Sequence, residues 1–186
     1  MLARAIRLLA SLALVLALPL QSLAADKGGV EAQGPYDVVH PIEEALPRRD
    51  LTPGATNCDV TQQNIGSTIC VRGYTKTIRP SAKYTGNLKR KQIAEYGYAD
   101  RRLRDYEEDH LISLELGGSP NSPKNLWPQP RHVLGGWGAD AKDQLENELH
   151  RQVCQGKLPL AEAQHEIATD WIAAYKKIIG EAVVKR

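Results

Sequence analysis

At 186 residues the chain is one domain of ordinary size, long enough to bury a real hydrophobic core. Its formal net charge of +2 falls to balance, 22 basic against 22 acidic residues, once an N-terminal leader holding two arginines is set aside, so total charge gives no reason to expect a polyanionic partner. Three cysteines without a C-x-x-C pair argue against a cysteine zinc knuckle.

The leader is MLARAIRLLASLALVLALPLQSLAA. Arg4 and Arg7 precede an apolar stretch from Leu8 to Leu20, and Ser22 and Ala24 occupy the small-residue positions that a signal peptidase reads. The apolar run falls short of the roughly 20 residues needed to span a bilayer. Residues 1–24 are therefore expected to be a cleaved signal peptide, and the protein to be exported, periplasmic or secreted. Residues 25–56, rich in Gly, Pro and charge, read as an extended arm or linker, and 57–186 as a single domain.

Within that domain VTQQNIGSTICVRGYTKTIRP, from Val60, suggests a short helix or turn and then β-leaning residues stopped by Pro80. SAKYTGNLKRKQIAEY, from Ser81, predicts a basic helix ending before Gly97. From Arg72 to Arg104 the chain carries ten basic residues against only Glu95 and Asp100, and four acids fill the next five positions. A basic segment beside an acidic cluster can place a polyanion next to a cation, because Lys and Arg bind phosphates while carboxylates bind metal. A solvated helix face explains the basic run equally well.

The acidic cluster opens DYEEDHLISLELGG, from Asp105. Leu111, Ser113 and Glu115 alternate with Ile112, Leu114 and Leu116, the period of a half-buried strand. Gly117 to Pro123 is turn chemistry, and Asn125-Leu126-Trp127 is a second short strand that prolines end. Ala141, Leu145, Leu149 and Val153 then mark an amphipathic helix, with Asp140 as N-cap and Gly156 beyond its end; a second helix over about 159–180 carries Ala163, Ile167, Trp171 and Ala174. Trp127 and Trp171 are expected in the core of a chain that has no phenylalanine. Strand, turn, strand and helix around the acids give an α+β fold class.

In an exported chain one disulfide is expected, with one thiol left over. Cys58 with Cys70 would close a short loop. Cys70 with Cys154 would constrain the unfolded chain more, and is the pairing favoured.

A carboxylate followed at once by a histidine suits metal-assisted phosphodiester hydrolysis: the carboxylate holds a divalent cation against the phosphate, and a neutral imidazole takes a proton from the attacking water. On a regular strand Asp109 and His110 point to opposite faces, so they share a site only where the backbone bends or the strand ends. The duller readings are ordinary ones. Asp143 can serve the helix dipole, His150 can pair with Glu146, Asn125 can be a turn residue, Glu107 and Glu108 are expected to be solvated with one auxiliary ligand between them at most, and His40 and His165 carry no signal.

These residues also resemble a family. D-H-L-I-x-L-E-L-G-G, a loop, N-L and a helix, from Asp109-His110 through Asn125-Leu126 to about Asp140, are similar to the ββα-metal finger of H-N-H endonucleases; the match covers about 45 residues. A wider span from about Thr52 to Tyr175, including STIC, GYTKTIRP, NLWPQP and ATDWIAAY, is similar to small exported bacterial proteins, which names a group but no activity. The resemblance implies a small ββα-metal core over about 105–155 with flanking helices. It makes His110 the general base, Asp109 a metal ligand and Asn125 the brace of loop and histidine. The third motif residue departs from the pattern: the usual spacing lands near His132, in a loop, whereas Asp143, Asn147, His150 and Cys154 form a line on the helix. Asn147 is the first choice of helix ligand and His150 the second. The implied cofactor is a divalent ion, Mg²⁺ or Mn²⁺ before Zn²⁺. The implied partner is nucleic acid, DNA before RNA, held by Lys89, Arg90, Lys91 and Arg102. The competing expectation is a non-catalytic polyanion-binding module, or a disulfide-stapled scaffold with a degenerate metal finger.

Overall fold

A computed structural model describes residues 38–181. The signal-peptide reading of residues 1–24 lies outside them, and no described helix is long and apolar enough to cross a membrane.

Mixed helix and sheet is what the sequence pattern asks for, and the order is α1 (Tyr74–Ile78), α2 (Ala82–Tyr96), β1 (Tyr106–His110), β2 (Leu126–Pro130), α3 (Ala139–Cys154) and α4 (Leu160–Ile178), joined by short 3-10 turns. Helix α2 is fixed at both ends. Ser81 Oγ accepts from the Tyr84 amide at 3.3 Å, and Gly97, at φ 74°, ends it in the left-handed conformation that side chains disfavour.

β1 and β2 pair antiparallel, from Tyr106 opposite Pro130 to His110 opposite Leu126. The strand therefore lies one segment earlier than the sequence suggested. YEEDH is extended, while Leu111 to Leu116 forms a loop ending in a 3-10 turn over Leu114–Leu116. Leu111, Ile112, Ser113, Leu114 and Leu116 are all buried, so the alternation is not one buried face but a loop enclosed on every side. The ladder stops because the Ile112 amide donates to the Asn125 side chain instead of to a strand backbone. β2 also runs through the prolines expected to end it. The Leu111 amide donates to the Asn125 carbonyl, which sets the phase so that Pro128 and Pro130 fall where a strand amide would face the free outer edge.

Two apolar clusters flank this hairpin. One gathers Leu145, Leu149, Val153, Ile167 and Trp171 with Ile112 and Leu116. The other joins Ile93, Tyr96, Tyr98, Tyr106, Leu111 and Trp127 beneath α2. Both tryptophans assigned to the core are fully buried. The stretch read as an arm is, over residues 38–56, packed into the domain. His40, Ala45 and Thr52 are buried, the Trp171 indole donates to the Ala45 carbonyl, and Gly54 donates to Lys124.

Three local expectations change. The segment expected to lean to β around Tyr74–Ile78 is the short helix α1. Gly138, not Asp140, caps α3: a Cβ there would stand 2.0 Å from the Arg131 carbonyl oxygen, so the chain approach admits only glycine. The C-terminal helix breaks at Asp170 (φ −161°, ψ 95°), whose Oδ1 accepts from the amides of Ile172 and Ala173, making it the N-cap of a second helical segment. Cys70 and Cys154 form a disulfide across 84 residues, tying the segment before α1 to the end of α3, and Cys58 is an exposed free thiol.

Candidate functional site

Where β1 ends, the chain turns, and that turn lets consecutive residues share a pocket. A cavity of about 180 Å³ is lined by Asp109, His110, Ser113, Leu114 and Glu115 from β1 and its loop, Thr75 and Arg79 from α1 and just after it, and Glu146 and Asn147 from α3. Of the five residues assigned to catalysis or metal, Asp109, His110 and Asn147 meet here, Asn125 lies beneath, and His150 is elsewhere.

Asn125 holds the loop. Its Oδ1 accepts from the amides of Ile112 (3.0 Å) and Ala55 (3.3 Å), and its Nδ2 donates to the carbonyls of Ile112 (3.0 Å) and Ser119 (3.1 Å). It is fully buried and touches loop backbone, so its bracing of His110 is indirect. Gly118 completes the node, since a Cβ there would stand 1.7 Å from the Ile112 carbonyl oxygen and 2.9 Å from Asn125 Nδ2.

His110 is set by one bond. Nε2 lies 3.0 Å from the Pro120 carbonyl oxygen, which can only accept, so Nε2 carries the proton and Nδ1 keeps its lone pair. Burial lowers the imidazole's proton affinity, against smaller opposing effects from Pro120 and Asp109. The ring is thus held neutral, in a single tautomer, with one basic nitrogen available.

Sequence reasoning missed the residue that organises the acids. Lys142 is completely buried, and its Nζ donates to Asp109 Oδ2 at 2.7 Å, to the His110 carbonyl at 2.8 Å and to Glu146 Oε1. Burial alone would strip this ammonium of its proton, but Asp109 and Glu146 outweigh it and keep the lysine charged above its usual range. Glu146 is pushed up by its own burial, against the pull of Lys142. The only sequence signal was the spacing of Lys142 and Glu146, one turn apart beside the apolar stripe, which ordinarily marks a surface pair.

The acids on either side of Asp109 have separate fates. Glu107 pairs with Arg131 at 2.7 Å. Glu108, expected in solvent, has both carboxylate oxygens buried without a hydrogen-bond partner, and burial raises it to about 8. His150 donates through Nε2 to the Ile69 carbonyl at 2.9 Å, and its Nδ1 is 3.7 Å from Glu115 Oε2. Asn147 is exposed and donates through Nδ2 to the Asp143 carbonyl.

None of the four basic residues assigned to nucleic acid lines the pocket. Lys89 donates to the Tyr106 carbonyl, Arg90 to Asn87 and Lys91 pairs with Glu95, while Arg102 sits between Asp100 and Asp105. The exposed Arg79 is the basic residue at the pocket wall.

Asp109, Glu146, Glu115 and Asn147 line the pocket with oxygen donors, the type that hard ions such as Mg²⁺ or Mn²⁺ take. Among the described residues, the group of three His, Cys, Asp or Glu side chains that converges within 4.8 Å is a different one, Cys70, His150 and Cys154. No family model, curated protein or solved structure matches the chain.

Proposed function

We propose that the protein hydrolyses phosphodiester bonds of nucleic acid, using an H-N-H-like centre at the end of β1 and a divalent cation of the Mg²⁺ or Mn²⁺ class. The observation that carries this reading is His110. It is a buried imidazole whose tautomer is set by a backbone carbonyl and which lines a pocket with acids and an arginine.

His110 Nδ1 takes the proton of the attacking water. Asn125 keeps the loop closed behind it, so that the ring does not swing between rotamers. Asp109 and Glu146, with Asn147 at the rim, would hold the cation, which supplies charge stabilisation at the phosphate and the leaving oxygen. Arg79 binds a phosphate of the substrate strand, and the basic face of α2 is left for the flanking backbone. The leader and the disulfide are consistent with a site of action outside the cytoplasm.

Lys142 favours the second reading, a polyanion-binding module without catalysis. An internal ammonium already occupies the space between Asp109 and Glu146, which reduces the demand for an external cation. One assay separates the two. Mature protein is incubated with plasmid DNA and with RNA, with Mg²⁺, Mn²⁺ or chelator, beside His110→Ala. Metal-dependent cleavage lost in His110→Ala is the expected result. Retention without cleavage, weakening steeply with salt, would establish the binding module instead.

A further inference from the structure

We propose that Cys70, Cys154 and His150 form a zinc site when the disulfide is reduced, so that the same cysteines serve as a covalent clasp in one redox state and as metal ligands in the other. This inference does not depend on the nuclease reading.

The geometry has three independent parts. The two sulfurs and a ring nitrogen of His150 already lie within 4.8 Å of one another. His150 and Cys154 are one helical turn apart on α3, a spacing that puts both on one face. His150 is also pre-set as a ligand: Nε2 donates to the Ile69 carbonyl, next in sequence to Cys70, which leaves the lone pair on Nδ1, and a metal-bound histidine is typically held by its other nitrogen in this way. Two thiolates and an imidazole are a borderline-soft set of three, which a water completes to the four that tetrahedral zinc takes.

The change in shape is small. Zinc–sulfur bonds of about 2.3 Å place tetrahedral thiolates about 3.8 Å apart, so the sulfurs separate by rotation at Cβ while the backbones stay close. The chemistry balances with a dithiol as reductant. It gives two electrons and two protons to the Cys70–Cys154 bond and becomes a disulfide itself, and Zn²⁺ then displaces both thiol protons. A disulfide oxidant takes the two electrons back, becomes a dithiol, and the re-formed Cys70–Cys154 bond expels the metal.

The test uses mature protein carrying Cys58→Ser, which removes the exposed thiol. Reduced protein is titrated anaerobically with Co²⁺ and then Zn²⁺, beside the oxidised form and the variant His150→Ala. The expected result is one equivalent of Co²⁺ with sulfur-to-cobalt charge-transfer absorption in the reduced form alone. Zinc should displace the cobalt and raise the melting temperature of the reduced chain, and affinity should fall roughly tenfold or more in His150→Ala. Circular dichroism reports folding throughout. No stoichiometric thiolate absorption, equal affinity in His150→Ala, or a reduced chain that stays unfolded with zinc present would each overturn the proposal.

Discussion

Glu108 and Asp109 are neighbours on one strand, each has a lysine nearby, and their situations are opposite. Asp109 is bonded to an ammonium that also reaches Glu146 and the His110 carbonyl, so the charges there are held by a closed set of bonds. Glu108, under α2, feels Lys89 only through space, because that lysine gives its proton to the Tyr106 carbonyl. Its oxygens have no partner, and burial keeps it protonated up to about pH 8. Hydrogen bonds from Lys142 replace water at Asp109 and Glu146, and no partner replaces it at Glu108. The chain thus puts a hydrogen-bonded cluster on the α3 side of the strand and an unpartnered acid on the α2 side.

Breaking the α3 side should cost most. His110→Ala is expected to lower the proposed nuclease activity by about 10²–10⁴-fold with little change in the melting temperature. In the parent, activity should fall as acid protonates the imidazole, at a pH below that of an ordinary histidine because burial lowers its proton affinity. A pH–rate profile flat through that range would remove the base assignment. Lys142→Met leaves the buried Glu146 and the half-buried Asp109 without their cation and should destabilise the fold by about 3–5 kcal/mol in urea denaturation. An unchanged midpoint would show that the acids find another partner.

Smaller effects sharpen the contrast. Gly118→Ala pushes a methyl group into the Ile112 carbonyl and the Asn125 amide, and should cost about 1–3 kcal/mol and reduce activity through the loop. On the α2 side the sign reverses. A carboxyl raised from 4.5 to about 8 imposes no cost below pH 4.5 and an increasing one as pH climbs towards 8, because the unfolded chain gains an ionisation that the folded one resists. Glu108→Gln should therefore melt like the parent at pH 4.5 and be more stable by about 1–2 kcal/mol at pH 8, with activity unaltered. A gain that does not grow with pH would mean that Glu108 is ionised in the folded protein.

The sequence made α3 and α4 legible because their apolar residues recur at helical spacing, and Gly97 marked the end of the basic helix α2, whereas α1 was missed. It also brought out Asp109, His110 and Asn125, whose order along the chain carries the hairpin. The strand boundary was misplaced because Leu111–Leu116 alternates like a strand but is buried on both sides, a condition that only the tertiary packing creates. Lys142 was invisible for a related reason: a lysine one turn from a glutamate reads as surface until a strand end closes over it. Arg79 and Glu115 reach the pocket through folding of α1 and the 3-10 turn, and neither has a spacing that announces it. Conversely, the run Lys89, Arg90 and Lys91 announced itself and is set away from the pocket.

The 84-residue span between Cys70 and Cys154 encloses Arg79, Asp109, His110, Asn125 and Glu146 within a single covalent ring. A protease that cuts the chain once inside that ring, for example in the exposed turn at Asn121 to Lys124, opens the ring without separating the pieces. The nicked protein should migrate intact on a non-reducing gel and fall into two fragments only after reduction, so the site has a margin against proteolysis that a linear domain of the same size lacks.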